Sequence, residues 1–307
     1  MKSEIVVIGS TNWDMSMKVP TLPTPMETVT GGSCHFCLGG KGANQAVAAA
    51  RAGGDVLFLS CVGNDSVALE VKQELAANNI PLQGISSIDD TETGKAMIFV
   101  DADGENCIGV ADGANAHMTP DTLMPNRDAI QAAKVVLLQM EIPTATVQHA
   151  ASQAREADGI VILNPAPAAG FSHAVLPFVS ILTPNQTEMQ QISETSCNTE
   201  AEMTEAARRL IDQGPQAIII TLGSQGAFAV TEKEAFSIAA HKIKAEDTTA
   251  AGDVFNGALA VALAADEELP TAIKFSMAAA ALSVQKSGAI PSIPYREQID
   301  GLLKNKA

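Results

Sequence analysis

The chain has 307 residues, 46% of them hydrophobic, enough to bury a substantial core in one large domain or two. Its formal net charge of −16 excludes a nucleic-acid surface, which needs clustered Lys and Arg, and no stretch reaches the roughly 18 uninterrupted apolar residues of a membrane helix. Residues 1–10 lack a charged segment followed by a long apolar core, and five cysteines without a signal peptide point to reduced thiols, so a mature, soluble, cytoplasmic protein is expected.

In chain order, short apolar runs rich in β-branched residues at 5–8, 56–60, 135–138, 160–163, 180–182 and 217–221 predict buried parallel strands. Helical stretches fill most of the gaps, for example 66–78, 144–157 and 200–213, and a small-residue cluster at 39–45 opens another helix at 46–52. The alternation predicts an α/β fold with a central, mostly parallel sheet and helices on both faces. Segments 14–37 and 94–110 break it: strand-like alternation, Pro-rich turns and the hairpin signal Asp101, Ala102, Asp103, Gly104 read as an antiparallel excursion. Within the first, Cys34 and Cys37 resemble half a zinc site, but an offset of three places their sulfurs on opposite faces of a strand, and no second pair follows at zinc spacing.

Open α/β sheets bind ligands beyond the carboxyl ends of their strands, and polar residues converge there. Asn12 and Asp14 follow the first strand, Glu141 the run at 135–138, Asn164 that at 160–163, Asn185 that at 180–182, and residues 221–226 the run ending at Ile220. Each has a structural alternative: Asn185 as a helix cap, Glu141 as a solvated loop charge, Asp14 as a turn closer.

Residues 247–258 combine a polar, small-residue loop with an apolar helix and a carboxylate, Asp253, in its first turn. Unpaired N–H groups and the helix dipole make such a terminus an anion hole, and the small side chains of Ala250, Ala251 and Gly252 leave room for a phosphoryl group. The alternative is that Asp247 or Thr249 merely caps the helix, but two carboxylates around one turn exceed what capping requires. The helix terminus is expected to keep Asp253 ionised, hence a weak base suited to a loose transition state in which the proton leaves late. No Gly-x-x-x-x-Gly-Lys-Ser/Thr segment is present, which excludes a P-loop kinase.

The segments GGKGANQAVAAARAG at 39–53 and DTTAAGDVFNGA at 247–258 resemble the two signatures of the PfkB-type carbohydrate kinases, the first being closest to the family's ribokinases. The likeness extends to GSTNWDM at 9–15, NPAP at 164–167, TPNQTE at 183–188, TLGSQG at 221–226 and GAIPSIP at 288–294, so it spans essentially the whole chain. The resemblance implies a ribokinase-like fold in one kinase domain over 1–307, with segments 14–37 and 94–110 forming a small β-sheet lid that also pairs with the lid of a second subunit. It implies ATP-dependent phosphorylation of D-ribose at O5 to D-ribose 5-phosphate, with Asp253 as general base and the N–H groups from Ala250, Ala251, Gly252 and Asp253 stabilising the transferring charge.

By the same resemblance, Asn12, Asp14, Gly40, Lys41, Asn44 and Glu141 hold ribose. Asn185, Thr221, Leu222, Gly223, Ser224, Gln225, Gly226, Gly252 and Met277 line the nucleotide. Glu188, in an Asn-x-x-Glu segment, acts on Mg2+ through water. A monovalent K+ site uses the Asp247 side chain with Thr249, Ser283, Lys286, Gly288 and Ser292. Three positions depart from the family: Ala250 stands where most members have Gly, Trp13 where ribokinases have a small residue, and Met277 where some have His. Sibling activities remain as alternatives, a deoxyribokinase or an adenosine kinase, and so does a non-catalytic sugar binder. Asn12 before Asp14 favours a sugar with a full set of hydroxyls, and a pure binder has no use for Asp253.

Overall fold

Apolar runs of four residues have no polar face to offer water, so they form strands covered on both sides. The structure, a computed structural model, describes residues 3–304. Its strands are β1 (Ile5–Ile8), β2 (Asn12–Lys18), β3 (Ser33–Gly39), β4 (Val56–Gly63), β5 (Ile85–Ile88), β6 (Gly94–Val100), β7 (Asn106–Ala111), β8 (Val135–Leu138), β9 (Ile160–Leu163), β10 (Ile181–Leu182), β11 (Ala217–Thr221), β12 (Ala227–Thr231) and β13 (Ala235–Ile238). The helices are α1 (Lys41–Arg51), α2 (Ser66–Ala77), α3 (Pro120–Leu123), α4 (Arg127–Ala132), α5 (Thr144–Arg155), α6 (Gln186–Ser193), α7 (Glu200–Ile211), α8 (Ala251–Ala264), α9 (Leu269–Ser283), α10 (Ala289–Ser292) and α11 (Arg296–Lys304).

Nine strands form one sheet in the order β13-β12-β11-β10-β9-β8-β1-β4-β5, parallel from β11 to β5 and antiparallel at the β12–β13 edge. Alternate residues of β1 feed two cores: Ile5 and Val7 pack under α1, α8 and α9, while Val6 and Ile8 pack under α5, α6 and α7. From β1 the chain steps to β4 on one side, and later returns to β8 on the other. That reversal opens a crevice at the carboxyl ends of β1 and β8, the place where such sheets bind ligands.

Helices α1 and α8 cross there at backbone distance. A Cβ on Gly257 would stand 2.6 Å from the Ala48 Cβ and 2.7 Å from the Gln45 carbonyl oxygen, so only glycine permits the approach. Among the described residues, no helix is long and apolar enough to cross a membrane.

The segments at 14–37 and 94–110 form a separate four-stranded sheet, β3-β2-β6-β7. It is mixed rather than antiparallel: β6 runs parallel to β2, because the chain passes through α1, β4, α2 and β5 between them and re-enters from the same end. The helix expected at 46–52 starts five residues earlier, at Lys41, so the small-residue cluster forms its first turn instead of preceding it. Strands β5, β12 and β13 were not foreseen. Trp13 lies on the face of β2 opposite Asn12 and Asp14 and packs against the core beneath α1 and α8, away from those two polar side chains.

Candidate active site

Glu141 follows β8 and is not a solvated loop charge. Its Oε2 accepts hydrogen bonds from Ser10 Oγ at 2.6 Å and from the Lys41 N–H at 2.9 Å, which places the carboxylate at the positive end of α1. Asn12, at the start of β2, is buried, and its Oδ1 accepts from Asn115 Nδ2 at 2.8 Å. With that oxygen engaged, its amide N–H groups are the ones left for a ligand.

Asp14 points into the same space, and its Oδ1 is buried without a hydrogen-bond partner. Burial, reinforced by Glu141 and Asp253 and opposed by Lys41, pushes its pKa up to about 7. The Lys41 ammonium is held above its ordinary range: burial lowers it, but Asp253, Glu141, Glu188 and Asp14 together prevail.

Asp253 occupies the first turn of α8 and is buried. Asn44 Nδ2 donates to its Oδ2 at 3.0 Å and Gln45 Nε2 to its Oδ1 at 2.9 Å. The expectation that the helix terminus keeps Asp253 a weak base is overturned. Burial raises its pKa and outweighs Lys41, Gln45 and Asn44, with Glu141 adding to the rise. A buried carboxylate of this kind is a stronger base than an exposed one.

The loop ahead of α8 is not a side-chain cap. The N-cap is Ala250, in the left-handed region at φ 59, and no side chain caps the helix. That conformation costs a residue with a Cβ strain that glycine would not carry. The Ala251 N–H turns back to the Thr248 carbonyl at 3.2 Å, and the first helical bond runs from Val254 to Ala250, so the N–H groups of Gly252 and Asp253 head the helix. Nothing lies within 4 Å of where a Cβ on Gly252 would be, leaving open space in front of them.

That space joins a cleft of about 250 Å³. Thr221, Gly223, Ser224, Gly226, Gly252 and Met277, which the resemblance implies around a nucleotide, line it together with His241, Ile243, Ala245 and Thr248, for which the sequence carried no such expectation. Leu222 turns instead to the core under α5 to α7, and Gln225 is exposed beside the cleft. Asn185 does cap α6, in a reciprocal capping box: Glu188 N–H donates to Asn185 Oδ1 and Asn185 N–H to Glu188 Oε2, both at 2.8 Å. A β-bridge between Asn185 and Thr221 holds this box beside the cleft. Partial burial raises the Glu188 pKa, against the Asn185 N–H and Lys41.

Asp247 ties two segments together. Its Oδ1 accepts from the Thr249 N–H at 2.9 Å and Oγ1 at 2.6 Å, and its Oδ2 from the Gly288 N–H at 2.8 Å. The Asp247 N–H also donates to the Val284 carbonyl, and the Lys286 N–H to that of Ser283. Burial alone would raise the Asp247 pKa, but the bonds from Gly288 and Thr249 hold it below the ordinary carboxylate range. Ser283 and Ser292 are buried, their hydroxyls donating to the carbonyls of Ala280 and Ala289.

Sequence reasoning did not assign Ser10, Gln45, Asn115 or Gln139 to the site. Ser10 and Gln45 lie inside the quoted motifs, two positions before Asn12 and directly after Asn44, and that closeness was the available signal. Asn115 and Gln139 had none.

The pfkB family carbohydrate kinase pattern matches residues 2–296. The ribokinase of Haemophilus influenzae is 39% identical over 298 residues, covering 97% of each chain. The solved ribokinase of Thermotoga maritima superposes with a TM-score of 0.91 at 36% identity, over 99% of this chain and 100% of that one. The ribokinase of Arabidopsis thaliana, solved with ribose and ATP, gives 0.92 at 30% identity over 99% of both.

Proposed function

The chain belongs to the pfkB family of carbohydrate kinases, and we propose that it transfers the γ-phosphoryl group of ATP to O5 of D-ribose with Asp253 as general base. The observation that carries the assignment is the Asn44–Asp253 hydrogen bond, which joins the two signature segments around one buried carboxylate beside an open helix terminus.

In this reading the O5–P bond forms as the bond from Pγ to the ADP oxygen breaks, and the O5 proton passes to Asp253. The N–H groups of Gly252 and Asp253 meet the charge on the transferring group, and the Lys41 ammonium offsets more of it. Asn12 donates to ribose, while Asp14 and Glu141 accept from its hydroxyls, with Gly40, Lys41 and Asn44 completing the pocket. The nucleotide fills the cleft lined by Thr221, Gly223, Ser224, Gly226 and Met277.

A half-buried carboxylate beside the cleft, its Oε2 fixed by a backbone N–H, fits a role toward hydrated Mg2+, so Glu188 would hold that ion through water. Mg2+ supplies neutralisation of phosphate charge. Asp247 and the carbonyl-rich turn at 283–288 form an all-oxygen set that suits K+, with Thr249, Ser283, Lys286, Gly288 and Ser292 around it.

The whole of 1–307 acts as one cytoplasmic kinase domain with the four-stranded sheet as its lid. Met15, Phe36 and Met97 are cross-strand neighbours on one face of that sheet and all exposed, which supports a homodimer through the lids.

The test is ADP release from ATP and Mg2+ across ribose, 2-deoxyribose, fructose and adenosine, in K+ and in Na+. Preference for ribose with K+ stimulation is the expected result. Turnover on deoxyribose or adenosine would keep the chemistry and move the substrate, and silence on all four would overturn the assignment.

A further inference from the structure

Gln45 follows Asn44 on α1 and grips the other oxygen of Asp253. Its amide is saturated: Nε2 donates to Asp253 Oδ1 at 2.9 Å and to Asn164 Oδ1 at 3.1 Å, and Oε1 accepts from Gln139 Nε2 at 2.6 Å. The chain of bonds continues past Asn164. Asn164 Nδ2 donates to the Thr183 carbonyl at 3.1 Å, Thr183 Oγ1 to Asn256 Oδ1 at 2.6 Å, and Asn256 Nδ2 to the Gly252 carbonyl at 2.8 Å. Gly252 is bonded to Asp253, so the circuit closes. It runs from the carboxylate through the ends of β9 and β10 and back to the backbone of the anion hole. Gln45 and Gln139 are 0% exposed, and Thr183 and Asn256 1%.

We infer that Gln45 is a positioning residue for phosphoryl transfer, fixing the plane of the Asp253 carboxylate so that Oδ2, the oxygen shared with Asn44, faces the sugar hydroxyl. The inference rests on Asp253 being the base. A saturated amide has one orientation, because rotating it by half a turn would set its oxygen against the carboxylate and its N–H groups against the Gln139 donor. The same circuit fixes the carboxylate relative to the Gly252 and Asp253 N–H groups, so the proton acceptor and the phosphoryl cradle keep one geometry. A ring that served only to satisfy buried polar atoms would stabilise the fold without affecting turnover.

The charged groups around Asp253 are Lys41 from α1, Asp14 from β2, Glu141 beyond β8 and Glu188 from α6. None of them is altered by substituting Gln45 or Gln139.

The experiment is steady-state kinetics of the full chain with ribose and ATP for Gln45→Met, Gln139→Met and Asp253→Asn, with melting temperatures alongside. Gln45→Met keeps the side-chain length and removes both donors. Its kcat is expected to fall by about 10- to 100-fold, the scale of a misplaced reacting group, with both KM values within about threefold. The acid limb of its kcat profile should move to higher pH, since a donor that favours the carboxylate is gone. Gln139→Met, which leaves those donors but frees the third anchor, should lose less kcat at unchanged KM.

A folded Gln45→Met with wild-type kcat and pH profile overturns the inference, whatever its melting temperature. If Gln45→Met does not fold, Gln139→Met decides, and wild-type kcat there overturns it. Asp253→Asn separates the two levels. Wild-type turnover in that variant removes the base assignment itself, whereas an inactive Asp253→Asn beside an undisturbed Gln45→Met removes only the positioning role.

Discussion

Asn44 and Asp253 stand 209 positions apart in the chain, yet the Asn44 side chain donates to Asp253 Oδ2 at 3.0 Å within the α1–α8 crossing. Asn44 Oδ1 is buried and has no hydrogen-bond partner, which leaves an unused acceptor beside that carboxylate. Asp253→Asn removes the proton acceptor while nearly preserving shape. Ribose and ATP binding should survive, and turnover should fall by about 10² to 10⁴, the usual contribution of a positioned base. Near-full kcat in this variant, with binding checked by calorimetry, would sink the assignment.

Asp14 carries a pH signature. Its pKa rises from 3.8 to about 7 in the folded chain, so between those values the folded state binds more protons than the unfolded one. Stability from this group is therefore full below the unfolded value, declines as pH rises through the window, and is lost above about 7. Asp14→Asn should flatten that decline and melt higher than wild type at pH 8 without sugar, while its ribose affinity drops by about tenfold or more. Ribose hydroxyls favour the ionised form, so binding near neutral pH should release protons, visible as a buffer-dependent heat. Parallel melting curves for the two proteins across the window would contradict the shift.

Much of this geometry was legible in the sequence because the nine-stranded sheet announces itself in apolar runs such as 135–138 and 160–163, which have no other place to go than a doubly covered sheet. The edge hairpin β12–β13 was not legible. Ala235–Ile238 is short and largely solvent-facing, and its pairing is set by β12, which itself pairs with β11, rather than by any pattern of its own. In the site, residues inside the quoted motifs could be placed, but their protonation could not. Asp253 looks like a first-turn carboxylate stabilised by the dipole, and only the packing of α1 against Gly257 shows that burial dominates. Gln139 acts through a contact 94 positions away, and no local pattern encodes such a contact.

Trp13 packs against the core and not beside Asn12 and Asp14, on the opposite face of β2. Trp13→Ala should destabilise the protein by about 2 kcal/mol, less than the 3 to 5 of a fully buried aromatic, because the side chain is only half-buried. The ratio of kcat/KM for ribose to that for 2-deoxyribose should stay within about twofold. A selective gain on a bulkier or deoxygenated sugar would place the indole in the pocket after all.

Phe36 pairs with Met15 across β3–β2, and Met15 with Met97 across β2–β6, making an exposed apolar row on the lid. A charge in the middle of a self-complementary row meets its own copy in a symmetric dimer. Met15→Glu should therefore convert a dimer to monomer in light scattering, weakening association by about 100-fold or more, the scale of a central hot spot. An unchanged mass in this variant would move the interface elsewhere.

Asp247 holds Thr249 with one carboxylate oxygen and Gly288 with the other, and those bonds keep its pKa below the ordinary range despite burial. Its contribution to stability is thus fully present at neutral pH and fades only as pH falls through that lowered value. Asp247→Asn loses the charge and keeps one acceptor oxygen, enough for the Gly288 N–H but not also for Thr249, and the bond from the residue-247 N–H to the Val284 carbonyl remains, so the two loops should stay joined, more loosely, while the cation site weakens. The K+ concentration for half-maximal stimulation should rise by about 10- to 100-fold, with activity in Na+ alone little changed. Equal K+ stimulation in wild type and variant would mean that the carboxylate serves the loops alone, and that any activating ion binds elsewhere.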